Sequence, residues 1–135
     1  HFEAPSMELD LQRAKEKVDA GAQYIMTQMF FDNKKYFEYV DACRSIGINV
    51  PIIPGLKPIT NKKQLTVLPS IFFVDIPEAL SKAMNAATTD EACEQVGAEW
   101  LVQQSKELKA AGVPVLHYYT LGKPKVIRDV VSKVF

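Results

Sequence analysis

The chain is short of nearly everything that would tie it to a charged surface or a membrane. Sixteen Lys and Arg balance sixteen Asp and Glu over 135 residues, so no global field favours nucleic acid, and an anionic lipid surface gains little from it. The longest apolar runs, residues 24–31 and 70–74, fall well below the ~20 residues of a spanning helix. Only two cysteines occur, Cys43 and Cys93. Each lies inside a helical pattern with no Cys-x-x-Cys and no Cys/His cluster, which argues against a disulfide framework or a zinc site and for buried, reduced thiols in a cytoplasmic protein. Neither an initiator methionine nor a signal segment opens the chain, which starts at His1 and reads as a piece of something longer.

What is present is an alternation of helical and extended patterns. Ser6 can cap a helix over residues 7–20, with Leu11, Ala14 and Val18 at 3- and 4-residue steps and Gly21 at its end. Residues 24–28 read as a short buried strand, and Asp32 or Asn33 caps a second helix with the stripe Tyr36, Val40, Cys43, ending at Gly47. The pattern recurs in a strand over 50–54 and a short helix over 61–68, capped by Thr60 and stopped by Pro69. Residues 70–76 read as an irregular connection, and Pro77 leads an extra helix over 78–86. Thr88-Thr89-Asp90-Glu91 has capping-box spacing and opens a long helix carrying Val96, Trp100, Leu101 and Leu108, closed by Gly112. A third strand over 115–119 precedes a last helix from Pro124.

Each strand thus follows a helix and a glycine. Short connections between alternating elements require parallel strands, so the fold class is α/β. Three strands are few for a doubly wound sheet, which at this length has about five. Part of an eight-stranded barrel, a fold of ~250 residues, is the better reading. In either architecture ligands gather at the carboxyl ends of the strands. Two motifs stand there: Thr27-Gln28-Met29-Phe30-Phe31-Asp32 and Ile53-Pro54-Gly55-Leu56-Lys57-Pro58.

These two, with His1-Phe2-Glu3-Ala4, Lys17-Val18-Asp19-Ala20-Gly21-Ala22 and His117-Tyr118-Tyr119-Thr120-Leu121, stand in the order seen in methylenetetrahydrofolate reductases, and the chain resembles that family over essentially its whole length. The resemblance implies a parallel (β/α)8 TIM-barrel type of catalytic domain, of which residues 1–135 are the C-terminal portion, strands six to eight with their helices. It implies an FAD flavoprotein of one-carbon metabolism and methionine biosynthesis, an oxidoreductase. Hydride passes from NADH or NADPH to the flavin and then to 5,10-methylenetetrahydrofolate, giving 5-methyltetrahydrofolate. The family's catalytic carboxylates lie on earlier strands and match nothing here, so this chain alone is expected to be inactive.

By the same resemblance His1, Ala4, Asp10, Arg13 and Lys17 contact FAD; cations for a diphosphate and a carboxylate for hydroxyls are the chemistry such a group needs. Without the resemblance the last three read as a solvated helix face. Phe2 and Glu16 depart from the family pattern. Met26, Gln28 and Leu68 fall at nicotinamide-contacting positions, and Gln28, Gln64, Tyr119, Leu121 and Lys123 at folate-contacting ones. Gln28 offers a donor and an acceptor together, which suits both a pterin edge and a carboxamide; a core glutamine satisfied by backbone is the bland alternative. Leu68 keeps an apolar wall where some members stack a phenylalanine. Lys123 stands for an arginine and loses its planar fork. His117 and Trp100 read as packing residues.

Two rivals remain open: a non-catalytic folate- or nucleotide-binding or interaction module built from a partial barrel, and a different flavin barrel of the proline dehydrogenase type, against which Gln28 and Gln64 argue. Open sheet edges further predict a homo-oligomer or a strand-exchanged assembly.

Overall fold

The computed structural model describes residues 6–135; the sequence motif around His1 and Ala4 lies outside them. Three parallel strands, β1 (Ile25–Met29), β2 (Ile52–Leu56) and β3 (His117–Tyr118), form one sheet in the order β1-β2-β3. Around them run α1 (Met7–Asp19), α2 (Asn33–Ser45), α3 (Gln64–Phe72), α4 (Glu78–Ala86), α5 (Asp90–Ala110) and α6 (Pro124–Val134).

Local chemistry sets most boundaries. Ser6 Oγ accepts from Leu9 N at 3.2 Å and Asp32 Oδ1 from Lys34 N at 3.0 Å, so both helices start where a capping side chain was expected. The helices ahead of the strands all end in the paired bonds of a Schellman turn: Ala22 N donates to Lys17 O, Ile48 N to Cys43 O and Val113 N to Leu108 O, at 3.0 to 3.1 Å. Gly47 and Gly112 take the left-handed backbone these turns require, with φ of 84° and 85°.

Four sequence expectations are corrected. Pro69 lies inside α3 rather than stopping it; the helix continues one turn and ends at Phe73 (φ 55°), whose N–H bonds Pro69 O at 2.9 Å. The proline lacks the donor for Leu65 O and crowds that carbonyl, yet the last turn closes through other residues. Thr60 does not cap that helix. Asn61 Oδ1 accepts from Gln64 N at 3.0 Å instead. The cap of α5 is Thr89, whose Oγ1 accepts from Ala92 N at 3.1 Å, which displaces Glu91 from the capping-box position. Finally, β2 begins and ends two residues later than its apolar run, because the pairing with β1 runs from Ile52.

The helices cover one face of the sheet. Ile52 and Leu56 pack with Tyr36, Cys43, Leu101, Leu108 and Val130 in the main core. Tyr36 Oη donates to Ile52 O at 2.6 Å and Tyr118 Oη to Ser105 Oγ at 2.8 Å, fastening α2 and α5 to the strands. A second core joins Met29, Phe31, Ile59 and Leu68 to Leu80, Met84 and Cys93 beyond the strand ends. Both cysteines are buried and unpaired. Burial raises the Cys43 thiol above its ordinary pKa. By strand alternation, Met26, Ile53, Gly55 and His117 look away from the helices, and Met26 is 41% exposed. Among the described residues no helix is long and apolar enough to cross a membrane, and no cluster of His, Cys, Asp and Glu has the closeness of a metal site.

Candidate active site at the strand ends

The carboxyl ends of the strands are tied together by three side-chain and backbone contacts. Between Met26 and Met29 the register slips: three steps along β1 match two along β2, Ile53 to Gly55. Such a bulge leaves one residue outside the ladder and re-aims its neighbours. Gln28 sits inside it. Thr27 Oγ1 accepts from Gly55 N at 2.9 Å, taking the place of a backbone partner, and Gln28 Oε1 accepts from Met29 N at 3.0 Å. That second bond leaves the amide nitrogen of Gln28 and one lone pair of its oxygen for another molecule. Tyr119, immediately after β3, donates its N–H to Leu56 O at 2.8 Å and its phenol to Thr27 O at 3.1 Å. His117 meets the Tyr119 ring edge to face at 4.6 Å, a wall position as its sequence context predicted.

The loop after β2 carries Lys57, which sequence reading quoted in a motif without giving it a role. It is 5% exposed, and its Nζ donates to Pro58 O at 2.9 Å. Among the described residues no carboxylate pairs with it. Burial lowers its pKa, and the nearby charge of Lys123 lowers it further. A single charge inside the apolar run 50–59 was the available signal. Gln64 opens α3 beyond this loop and is turned inward to it: its Oε1 accepts from Thr60 N at 2.7 Å, leaving the amide nitrogen.

The last connection forms a tight turn closed by Lys123 N to Thr120 O at 2.9 Å. Leu121 adopts φ of 41° there and is 63% exposed. An apolar side chain held in solvent on a left-handed backbone is unfavourable on both counts, and such strain gathers at binding sites. Lys123 Nζ lies 3.9 Å from Glu94 of α5. Leu68 is removed from this edge of the site; it is buried in the second core with Met29 and Phe31.

On α1, Arg13 and Lys17 are exposed, and among the described residues neither pairs with a carboxylate, whereas Lys15 pairs with Asp19 and Gln12 with Glu16 on the same helix. Asp10 is partly buried one turn before Arg13. Like charges at i,i+4 repel unless an anion lies between them. Arg13 and Lys17, the cations that family order marks for a diphosphate, thus take no part in these two pairs of the helix. A cleft of about 760 Å³ between α2 and α5 contains none of the residues assigned to FAD, nicotinamide or folate and is lined by Phe31, Phe37, Trp100 and Gln104 among others. Trp100 serves packing there, its Nε1 donating to Phe31 O at 2.9 Å.

A sequence model of the family described as methylenetetrahydrofolate reductase matches residues 1–134. The chain is 39% identical over 121 residues to methylenetetrahydrofolate reductase (NADH) 1 of Arabidopsis thaliana, covering 89% of this chain and 20% of that protein. It is also 39% identical over 127 residues to the 5,10-methylenetetrahydrofolate reductase of Salmonella typhimurium, covering 93% and 43%. The chain therefore spans less than half the length of either relative. Among solved structures, an uncharacterized protein from Clostridium thermocellum, described as binding two copies of 5-methyl-5,6,7,8-tetrahydrofolic acid, matches with a TM-score of 0.59 at 16% identity. That match covers 93% of this chain and 46% of the other, and at this identity the likeness concerns the fold.

Proposed function

Since the chain belongs to the methylenetetrahydrofolate reductase family, we propose that residues 1–135 are the C-terminal portion of a (β/α)8 catalytic barrel, with β1, β2 and β3 as its strands six to eight. The complete protein then reduces 5,10-methylenetetrahydrofolate to 5-methyltetrahydrofolate, using FAD and either NADH or NADPH. The folate bound by the Clostridium thermocellum protein of similar fold supports folate as the substrate class. The observation that carries the reading is Gln28, an amide set in a bulge at the carboxyl end of a parallel strand.

A bound flavin would supply the hydride-carrying chemistry between nicotinamide and folate. This chain's residues bind and orient. Arg13 and Lys17, which pair with no carboxylate among the described residues, meet the diphosphate, and Asp10 meets a hydroxyl; His1 and Ala4 belong to the same group by family order. Gln28 presents donor and acceptor to whichever substrate occupies the shared face, beside Met26. Gln64, Tyr119, Leu121 and Lys123 meet the folate, Lys123 with a single charge rather than a fork. Leu68 supports the wall from behind. Near-contact stacking is needed for both transfers, so the placement of the neutral Gln28 amide matters as much as the hydrogen bonds it offers.

Replacing Gln28 by Ala in the full-length protein is expected to weaken folate binding about tenfold or more while FAD is retained, since one amide supplies two hydrogen bonds. Unchanged folate affinity would count against the assignment.

A further inference from the structure

We propose that Tyr119, whose ring stands at a folate-contacting position by family order, is in addition a positioning residue for Gln28, its hydroxyl acting across the sheet through the carbonyl of Thr27. The inference rests on the reading of Gln28 as the amide that meets both substrates.

The geometry is unusual in that β1 and β3 are not neighbours; β2 lies between them. The Tyr119 side chain nevertheless reaches Thr27 O at 3.1 Å. It can do so because it crosses β2 at Gly55. A Cβ built on Gly55 would lie 2.8 Å from Tyr119 Cε2, 3.3 Å from its Oη and 2.5 Å from Thr27 O. Distances under 3.0 Å are not tolerated, and two of these three obstacles are the ring and a backbone atom. The glycine is therefore the gap through which one strand end is strapped to another.

What the strap holds is the bulge. Thr27 makes two contacts outside the ladder, its Oγ1 with Gly55 N and its carbonyl with the phenol. Both fix the peptide that leads directly into Gln28. A bulge has fewer ladder bonds than a regular strand, so its orientation depends on such added contacts. Tyr119 is itself partly buried and packed against the second core, with His117 on its edge, so the phenol is a stiff lever rather than a mobile side chain. Because both substrates are met by the same amide, loosening the strap affects both, whereas a tyrosine that contacted only folate would leave the nicotinamide unaffected.

The test is a double-mutant cycle in the flavin-loaded full-length protein with Tyr119→Phe, Gln28→Ala and the pair, reading dissociation constants for 5-methyltetrahydrofolate and NADH, with amide hydrogen exchange alongside. Tyr119→Phe removes only the hydroxyl and keeps the ring, so folding is preserved. The expected result is a roughly five- to tenfold loss for both ligands, by the worth of one hydrogen bond, which disappears in the Gln28→Ala background. Exchange at Gly55 N–H speeds up in the same variant, and Gly55→Ala reproduces the binding loss. Equal losses in both backgrounds, a loss confined to folate, or exchange unchanged at Gly55 would overturn the inference. If the unaltered protein binds no folate at all, the reading of Gln28 falls and takes this inference with it, a failure that the wild-type measurement alone reveals.

Discussion

At the scale of single residues, Lys57 shows how far burial can run against charge. A lysine 5% exposed with one neutral acceptor is unfavourable when protonated, since desolvation of an ammonium is offset only by a counter-ion. Its pKa in the folded chain lies below the ordinary 10.5. Between that lowered value and 10.5 the unfolded chain holds more protons than the native one, so stability rises with pH; below the lowered value the native state bears the whole penalty. Lys57→Met removes the titration. The variant's unfolding midpoint relative to the unaltered protein is expected to be most favourable near neutral pH and to decline as pH approaches 10.5. A difference that stays flat across that range contradicts the account, and urea melts at a series of pH values read it directly. The sequence displayed this residue, but nothing in its pattern separated a buried lysine from one that snorkels to solvent. Gln28 was legible because a lone amide ending an apolar strand stands out. Thr27 was not, since a β-branched residue in a strand carries no sign that its hydroxyl replaces a ladder bond.

At the scale of elements, the helix and strand order was legible from caps, glycines and apolar spacing, while several boundaries were not: β2 lies two residues later than its apolar run, β3 is shorter than the pattern over 115–119, and three helix ends moved. Pro69, Thr60 and Thr88 each carried a strong local rule, and each gave way to a neighbour: a proline near a helix end, Asn61 in place of Thr60, Thr89 in place of Thr88. Local rules state what a residue permits, and packing selects among the permitted choices. Gly97 in the middle of α5 is the clearest case. Helix propensity alone says that Ala there should stabilise by about 1 kcal/mol. The structure says the reverse, because a Cβ at Gly97 would fall 1.5 Å from Ile59 O, inside the loop that follows β2. Helix and loop must separate to admit it, and overpacking against backbone costs about 3 kcal/mol or more. Gly97→Ala is therefore expected to lower the urea midpoint of unfolding; an unchanged or raised midpoint would show that the loop yields freely. The same loop carries Lys57 and leads into Gln64 at the start of α3, so ligand affinity should fall with stability.

At the scale of the whole molecule, the parallel sheet and the uncovered face opposite its helices are what a partial barrel would present. Met26 at 41% exposure, Tyr24 at 55% and Val115 at 51% are large apolar side chains at or near that sheet, and β1 pairs on one side only among the described residues. Unpaired edges and apolar patches of this kind recruit partners. Purified as 135 residues, the chain is expected to self-associate or exchange strands, and a single monomeric boundary in sedimentation velocity would refute that. Extended toward its N-terminus to the length of its relatives, the same surface would be covered by the remaining strands. The central claim, that this chain completes a flavin barrel reducing methylenetetrahydrofolate, is tested most directly by the visible absorbance spectrum of that extended protein. The account predicts a yellow protein with bound FAD whose absorbance bleaches on adding NADH or NADPH and returns on adding methylenetetrahydrofolate. A protein that stays colourless after reconstitution with FAD, or one that bleaches and does not recover with the folate, would contradict it.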